Sequence, residues 1–116
     1  SLLKSGAVLA FGTDCPVEEL NPLAGLYAAV TRRRANGYPE GGWYPEQSLT
    51  LQEALYAYTM GSAYACGEEQ DKGSLAPGKL ADIVVLSRDI FAGPPEAILD
   101  TVVDMTILGG RVVYEG

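Results

Sequence analysis

The sequence predicts an α/β fold, and three observations support this prediction. An apolar run at residues 7–11 is followed by a segment with helical spacing, an order typical of α/β repeats. A capping box at residues 50–53 predicts a second helix. Residues 101–115 alternate as the strands of a hairpin do. A length of 116 residues with 47% apolar residues is enough for one domain with a core.

The apolar run reads Ala-Val-Leu-Ala-Phe and lies between Gly6 and Gly12. A short, continuous apolar run favours a strand buried on both faces, as in a parallel sheet covered by helices. A buried helical segment is the alternative, which the flanking glycines and the short length disfavour. Residues 13–20 are predicted to form a loop.

The first helix is predicted to begin after that loop. Asn21 is a good N-cap and Pro22 suits the first helical position, and four apolar residues then recur at helical spacing, namely Leu23, Leu26, Tyr27 and Val30. The basic triplet Arg32–Arg34 is expected in the last turn, where positive charge favours the negative end of the helix dipole. Asn36-Gly37 is expected to end the helix.

The second helix follows an aromatic loop. The loop, residues 37–47, contains Tyr38, Trp43 and Tyr44, which either pack onto the domain, the favoured interpretation, or line a pocket. Thr50 and Glu53 then form a capping box. The helix carries a surface of small residues and ends at Cys66-Gly67; the small residues are Ala57, Gly61, Ala63 and Ala65.

The C-terminal third is predicted to be a small β unit of three strands. Pro77-Gly78 suits a type II turn, residues 83–86 form a β-branched strand, and residues 94–99 can form one helical turn. A hairpin turning at Gly109-Gly110 completes the unit. Three strands bury little surface, so we expect them to complete a sheet with other parts of a longer chain.

Composition excludes several classes of function. The net charge of −7, with Arg32–Arg34 as the only basic cluster, argues against nucleic-acid binding, and no membrane span is expected. Cys15 and Cys66 lack the spacing of a disulfide framework or a zinc knuckle, which favours free thiols in the cytoplasm. The chain has no histidine, the commonest general base and transition-metal ligand. It begins at Ser1, without an initiator methionine or signal peptide, so we expect a piece of a longer protein.

Carboxylates are therefore the main candidates for chemistry. Asp14 follows the predicted strand at its C-terminal end, where α/β proteins place ligands and catalytic groups. Its position alone leaves two roles open: a catalytic group, or a cap that accepts backbone N–H groups around residues 13–17. The other candidates are Cys15, expected to be a small buried hydrophobe; Glu18 and Glu19, expected as exposed charges; Glu68, Glu69 and Asp71, expected as a solvated run; and Asp82, expected to close a turn.

One motif reads Phe-Gly-Thr-Asp-Cys-Pro-Val at residues 11–17 and is joined to Asn-Pro-Leu at 21–23 and Thr-Arg-Arg at 31–33. This combination resembles the amidohydrolase superfamily, and most specifically its YtcJ-like, amidohydrolase-3 branch. The Gly-Lys-Leu-Ala-Asp element at residues 78–82 is shared more widely across the superfamily. The similarity covers nearly the whole chain.

The resemblance implies the C-terminal piece of a metal-dependent hydrolase. Residues 1–67 would supply the last strand and helices of a (β/α)8 barrel, and residues 68–116 part of a small β-sandwich domain. Asp14 matches the aspartate at the end of the eighth barrel strand, which in the family contacts a divalent metal, usually zinc, and carries a proton for the attacking water. The implied substrate is a small amide-type molecule.

The sequence also departs from the family. The His-x-His pair and further histidines that bind metal in the superfamily are absent, and one carboxylate cannot hold a catalytic zinc. We therefore expect the chain alone to be inactive, and its uncovered apolar surface to favour self-association. The alternative is a non-catalytic interaction module that retains elements of the same fold.

Overall fold

The computed structural model describes all 116 residues. Three α-helices precede a three-stranded sheet: α1 (Leu23–Thr31), α2 (Leu51–Tyr56), α3 (Ser62–Ala65), β1 (Ile83–Leu86), β2 (Val103–Leu108) and β3 (Arg111–Glu115). Short 3₁₀ turns occur at Leu3–Ser5, Pro45–Gln47 and Pro95–Ile98, the last of which is the helical turn predicted for residues 94–99. None of the helices combines the length and the apolar character needed to cross a membrane.

Helix α1 begins at Leu23, one residue after the predicted start at Pro22, and ends earlier than predicted. The Leu23 N–H donates to Oδ1 of Asn21 at 3.0 Å, and Pro22 already has helical angles. The helix ends at Thr31 because Arg32 adopts a left-handed conformation, with φ 59°. The Thr31 hydroxyl also competes for backbone partners, since it donates to the Tyr27 carbonyl and accepts from the Arg33 N–H. The prediction that the arginine triplet lies in the last turn is wrong.

Helices α2 and α3 are joined by one π-helical turn, Ala57–Gly61, which the sequence did not predict. The predicted capping box is confirmed: the Glu53 N–H donates to the Thr50 hydroxyl at 3.1 Å, and the Thr50 N–H donates to the Glu53 carboxylate at 2.8 Å. The small-residue surface is buried at Ala57, Gly61 and Ala63, whereas Ala65 is exposed.

The C-terminal β unit contains the three predicted strands, which form an antiparallel sheet in the order β1-β2-β3. Gly109 and Gly110, with φ of 56° and 78°, make the tight hairpin turn. Asp82 closes this turn as expected, because its Oδ1 accepts from the Gly109 N–H at 2.8 Å. The Pro77-Gly78 turn is also confirmed, with Gly78 at φ 91° and the Lys79 N–H donating to the Ala76 carbonyl.

The hydrophobic core is small. It brings α1 and α2 together with the segment around Pro95–Ile98, and its buried members are Leu23, Leu26, Tyr27, Ala54, Ile90 and Ile98. Only 10 of 116 residues are buried, and the chain exposes 7988 Å². A compact monomer of 12.3 kDa exposes about 6,100 Å², so roughly 1,900 Å² is exposed in excess.

The apolar run at residues 7–11 is not a strand, and the prediction that it is a buried strand is wrong for this chain. Its residues are exposed or half-buried, with Val8 52% exposed. The physical reason is that a strand needs a ladder partner, and the sheet of this chain lies entirely within residues 83–115. The N–H groups of Val8, Leu9 and Ala10 donate to no group of the chain.

Candidate active site

The segment that carries Asp14 is held against the π-helical turn. The Phe11 N–H donates to the Ala57 carbonyl at 3.0 Å, and the Ser62 hydroxyl donates to the Phe11 carbonyl at 2.6 Å. The Phe11 ring meets the Tyr58 ring edge to face, with the centroids 5.4 Å apart. Gly61 makes this approach close, because a Cβ there would overlap the Leu9 carbonyl oxygen. The backbone leading to Asp14 is therefore fixed from the helix side.

Asp14 itself lies on a tight turn with its side chain in solvent. Its φ is 49°, a left-handed conformation that aspartate tolerates better than most residues. The turn is closed by backbone groups: the Val17 N–H donates to the Asp14 carbonyl at 2.8 Å, and the Glu18 N–H donates to the Thr13 carbonyl at 3.2 Å. No hydrogen bond involves the Asp14 carboxylate. The carboxylate thus does not cap the turn.

The same turn borders a cleft of about 550 Å³. The cleft is bounded by the loop on one side and by α1 with the segment after it on the other, and its polar lining residues are Thr13, Glu18, Glu19, Asn21, Arg33, Arg34 and Tyr58. Glu18 and Glu19 are exposed, as predicted, and both face this cleft. Cys15 is exposed and not the buried hydrophobe expected.

Tyr58 is the one group of this cleft whose pKa is clearly perturbed. Burial raises the pKa of its phenol above the usual 10.0, and the negative charge of Glu18 raises it further. Its hydroxyl lies against the backbone of Gly25 on α1, where a Cβ would overlap it. The phenol therefore stays protonated to higher pH than a free tyrosine and can donate a hydrogen bond into the cleft.

The remaining carboxylate candidates lie elsewhere. Glu68 pairs with Lys72 at 2.9 Å just after α3, where Asp71 is exposed, as expected for a solvated run. Glu69 departs from that expectation because it is half-buried, with Oε2 unpartnered. Asp82 belongs to the hairpin. None of these four joins the loop that carries Asp14.

The residues present do not fit a metal centre by themselves. No group of three or more His, Cys, Asp or Glu side chains is placed to hold one ion. A catalytic zinc usually takes three protein ligands, and Asp14 belongs to no such group in this chain. By itself, this part of the chain presents the solvated carboxylate of Asp14 beside a cleft that is lined by acidic, basic and phenolic groups.

Sequence reasoning did not identify Tyr58 or Arg33 as part of this site. Helical spacing does not reveal that the Tyr58 ring meets the ring of Phe11, 47 positions earlier in the chain. The preference for packing of the aromatic loop is wrong in this chain, since Tyr38, Trp43 and Tyr44 are 66%, 62% and 58% exposed.

Comparison with known proteins gives consistent matches along the chain. The model of a family described as the amidohydrolase family matches residues 1–114. The protein YtcJ of Bacillus subtilis (strain 168), whose name assigns it provisionally to the amidohydrolases, is 34% identical over 99% of this chain. The protein LONG AFTER FAR-RED 3 of Arabidopsis thaliana is 36% identical over 98%, and N-substituted formamide deformylase of Arthrobacter pascens is 30% identical over 99%.

The chain spans about a fifth of the length of these relatives: 22% of the first, 19% of the second and 21% of the third. Among solved structures, an amidohydrolase from Thermotoga maritima MSB8 aligns with a TM-score of 0.65 and 29% identity. That alignment covers 99% of this chain and 25% of the other. Guanine deaminase from E. coli aligns with the same TM-score at 25% identity, and 29% of its chain is covered.

Proposed function

Since the chain belongs to the amidohydrolase family, we propose that it is the C-terminal segment of a metal-dependent enzyme that hydrolyses carbon–nitrogen bonds other than peptide bonds. Asp14 is the catalytic residue that this segment contributes. Residues 1–67 complete a barrel with the last strand and helices, and residues 68–116 complete a small β-sandwich domain. The substrate is a small amide-type molecule, and the enzyme acts in the cytoplasm, where the exposed thiols of Cys15 and Cys66 remain reduced.

The free carboxylate of Asp14 is the observation that carries this proposal. The backbone before it is fixed by two hydrogen bonds to the helix, yet the carboxylate makes no hydrogen bond of its own. A rigid backbone that presents an unsatisfied acid suits a group that must accept and return a proton. A structural aspartate on such a turn would instead bind the N–H groups around it.

The exposed surface supports the proposal that further protein covers this chain. The excess of roughly 1,900 Å² is of the order that a stable protein interface buries. The apolar segment at residues 7–11 is part of this exposed surface. It has three unpaired N–H groups, which neighbouring strands could pair. An extended barrel strand placed between two neighbours would satisfy both its backbone and its side chains.

Asp14 has a defined part in the reaction that we propose. Its carboxylate accepts the proton of the attacking water and returns it to the nitrogen that leaves as the C–N bond breaks. Divalent metal, for which we propose zinc, supplies an activated water in enzymes of this kind. Asp14 is the only metal ligand that we assign to this chain, so the other ligands must come from protein outside it.

The test joins this chain to the segment encoded upstream in the same reading frame. The joined protein is assayed against N-substituted formamides, linear amides and cyclic amides. We expect hydrolysis by the joined protein, a fall in kcat of about a thousandfold in Asp14→Asn, and little change in the matched control Asp71→Asn, an exposed aspartate away from the cleft. The 116-residue chain by itself is expected to be inactive.

Two outcomes would overturn the proposal. The first is an upstream frame without a His-x-His motif after an apolar strand, together with a joined protein that hydrolyses none of the amides. That result would favour the alternative of a non-catalytic interaction module. The second is an active joined protein in which Asp14→Asn and Asp71→Asn have equal activity, which would remove Asp14 from the reaction.

A further inference from the structure

A second cleft, of about 460 Å³, adjoins the cleft at Thr13 and shares Ala28, Arg33 and Arg34 with it. Its lining contains three guanidinium groups and no carboxylate; the residues are Ala28, Arg32, Arg33, Arg34, Tyr38, Pro39 and Trp43. We call it the arginine cleft. The chain has only eight Lys and Arg residues and a net charge of −7, so the positive charge of this cleft is opposite in sign to the charge of the chain as a whole.

The walls of the arginine cleft are held by the backbone. The Arg32 Nε donates to the Trp43 carbonyl and the Trp43 N–H donates to the Arg32 carbonyl, both at 2.9 Å. The Arg32 guanidinium also lies 5.2 Å from the centre of the Trp43 indole. The Arg34 N–H donates to the Tyr38 carbonyl at 2.9 Å, and Gly42 allows the close approach because a Cβ there would overlap the Thr31 carbonyl. The cleft is thus formed before any ligand arrives.

The arginines lack anionic partners. The single ion pair of the chain joins Lys72 to Glu68, far from the triplet in sequence, and none involves an arginine. The Nε of Arg33 is buried without any hydrogen-bond partner. A buried, charged donor that is left unsatisfied costs free energy, and an anion bound to the same guanidinium would offset that cost.

We propose that the arginine cleft binds a small organic carboxylate that carries a planar apolar group. The guanidinium fork matches a carboxylate in shape and charge, and the exposed rings of Tyr38 and Trp43 offer flat surfaces to the remainder of the ligand. The volume falls in the range of small-molecule sites. The net charge of −7 disfavours polyanions more than monoanions, which argues for a single carboxylate. This site rests on its own geometry and not on the hydrolytic function proposed above.

The test uses the indole N–H of Trp43, the only tryptophan of the chain, as a reporter in ¹⁵N–¹H spectra. The 116-residue chain is titrated with sodium benzoate at constant ionic strength, and in parallel with neutral benzamide and with phenyl phosphate. We expect a saturable shift with benzoate, none with benzamide, and weaker binding of phenyl phosphate. Arg33→Gln should weaken benzoate binding about tenfold or more.

A second variant and a control keep the test decisive if Arg33→Gln fails to fold. Arg34→Gln removes the same charge from an exposed position of the cleft and should weaken benzoate severalfold. Arg111→Gln, on the exposed strand β3, should leave the affinity unchanged. A response to benzamide equal to that of benzoate, no saturable shift at all, or equal affinities in the Arg34 and Arg111 variants would each overturn the proposal. Tighter binding of phenyl phosphate would overturn the choice of a carboxylate.

Discussion

Replacing Gly61 by alanine should loosen the segment that carries Asp14. The new Cβ would overlap the Leu9 carbonyl, which is backbone and cannot rotate away. Moving that segment breaks its two hydrogen bonds to the helix, worth about 2 kcal/mol together, and overpacking of a close contact adds about 1 to 3 kcal/mol. Alanine recovers about 1 kcal/mol of helix propensity. The net expectation is a loss of about 2 to 4 kcal/mol of stability.

The assay is urea unfolding followed by circular dichroism at low protein concentration. With a slope of about 1.5 kcal/mol per molar urea, the midpoint should fall by about 1.3 to 2.7 M. Gly12→Ala is the matched control, since a Cβ there meets nothing within 4 Å, and it should keep or slightly raise the midpoint. The reasoning is refuted if Gly61→Ala keeps the wild-type midpoint or shifts it upward as the control does.

Three further predictions concern pH, metal and association. Because burial raises the pKa of Tyr58, the folded chain holds this proton more tightly than the unfolded chain does. The contribution of Tyr58 to stability should therefore be constant below pH 10 and be lost as the pH rises above it. Glu18→Gln should lower the pKa of the phenol in an ultraviolet titration, and an unchanged pKa would contradict the role of Glu18. Isothermal titration of the 116-residue chain with zinc should show no tight site, and one tight site per chain would contradict this prediction. Light scattering should show an apparent mass that grows with concentration, and a strictly monomeric chain over a wide range would count against the exposed surface as a contact surface.

The parts of the fold that were predicted correctly are those fixed by short-range chemistry. The Thr50 and Glu53 capping box, the Pro77-Gly78 turn and the hairpin at Gly109-Gly110 each depend on neighbours within a few residues. Local sequence therefore contains the information that decides them. The family was also predicted from the sequence, because its motifs occur at local spacings along the chain.

The wrong predictions depend on partners distant in sequence. Arg32 ends α1 early because its backbone pairs with Trp43, 11 positions later, which helical periodicity cannot reveal. Residues 7–11 have the composition of a buried strand, but they lie against a helix and have no neighbouring strand to pair with. Asp14 is a candidate because it follows the apolar run in sequence. The cleft beside it could not be predicted in this way, because it depends on the tertiary approach of Tyr58 and Arg33.

The failed strand and the excess surface have a common physical origin. An apolar segment with exposed side chains and unpaired N–H groups is costly in water, and a folded domain normally buries or pairs both. Here the cost falls on the residues just before Asp14, while the helix contact through Gly61 keeps that backbone in place. If strands from further protein flank this segment, the same residues become a paired, covered strand and Asp14 remains at its end. Hydrogen exchange separates the two states: the amides of residues 8–10 should exchange at nearly unprotected rates in the 116-residue chain and be protected in the joined protein. Fast exchange of these amides in both forms would mean that the apolar run is not a barrel strand.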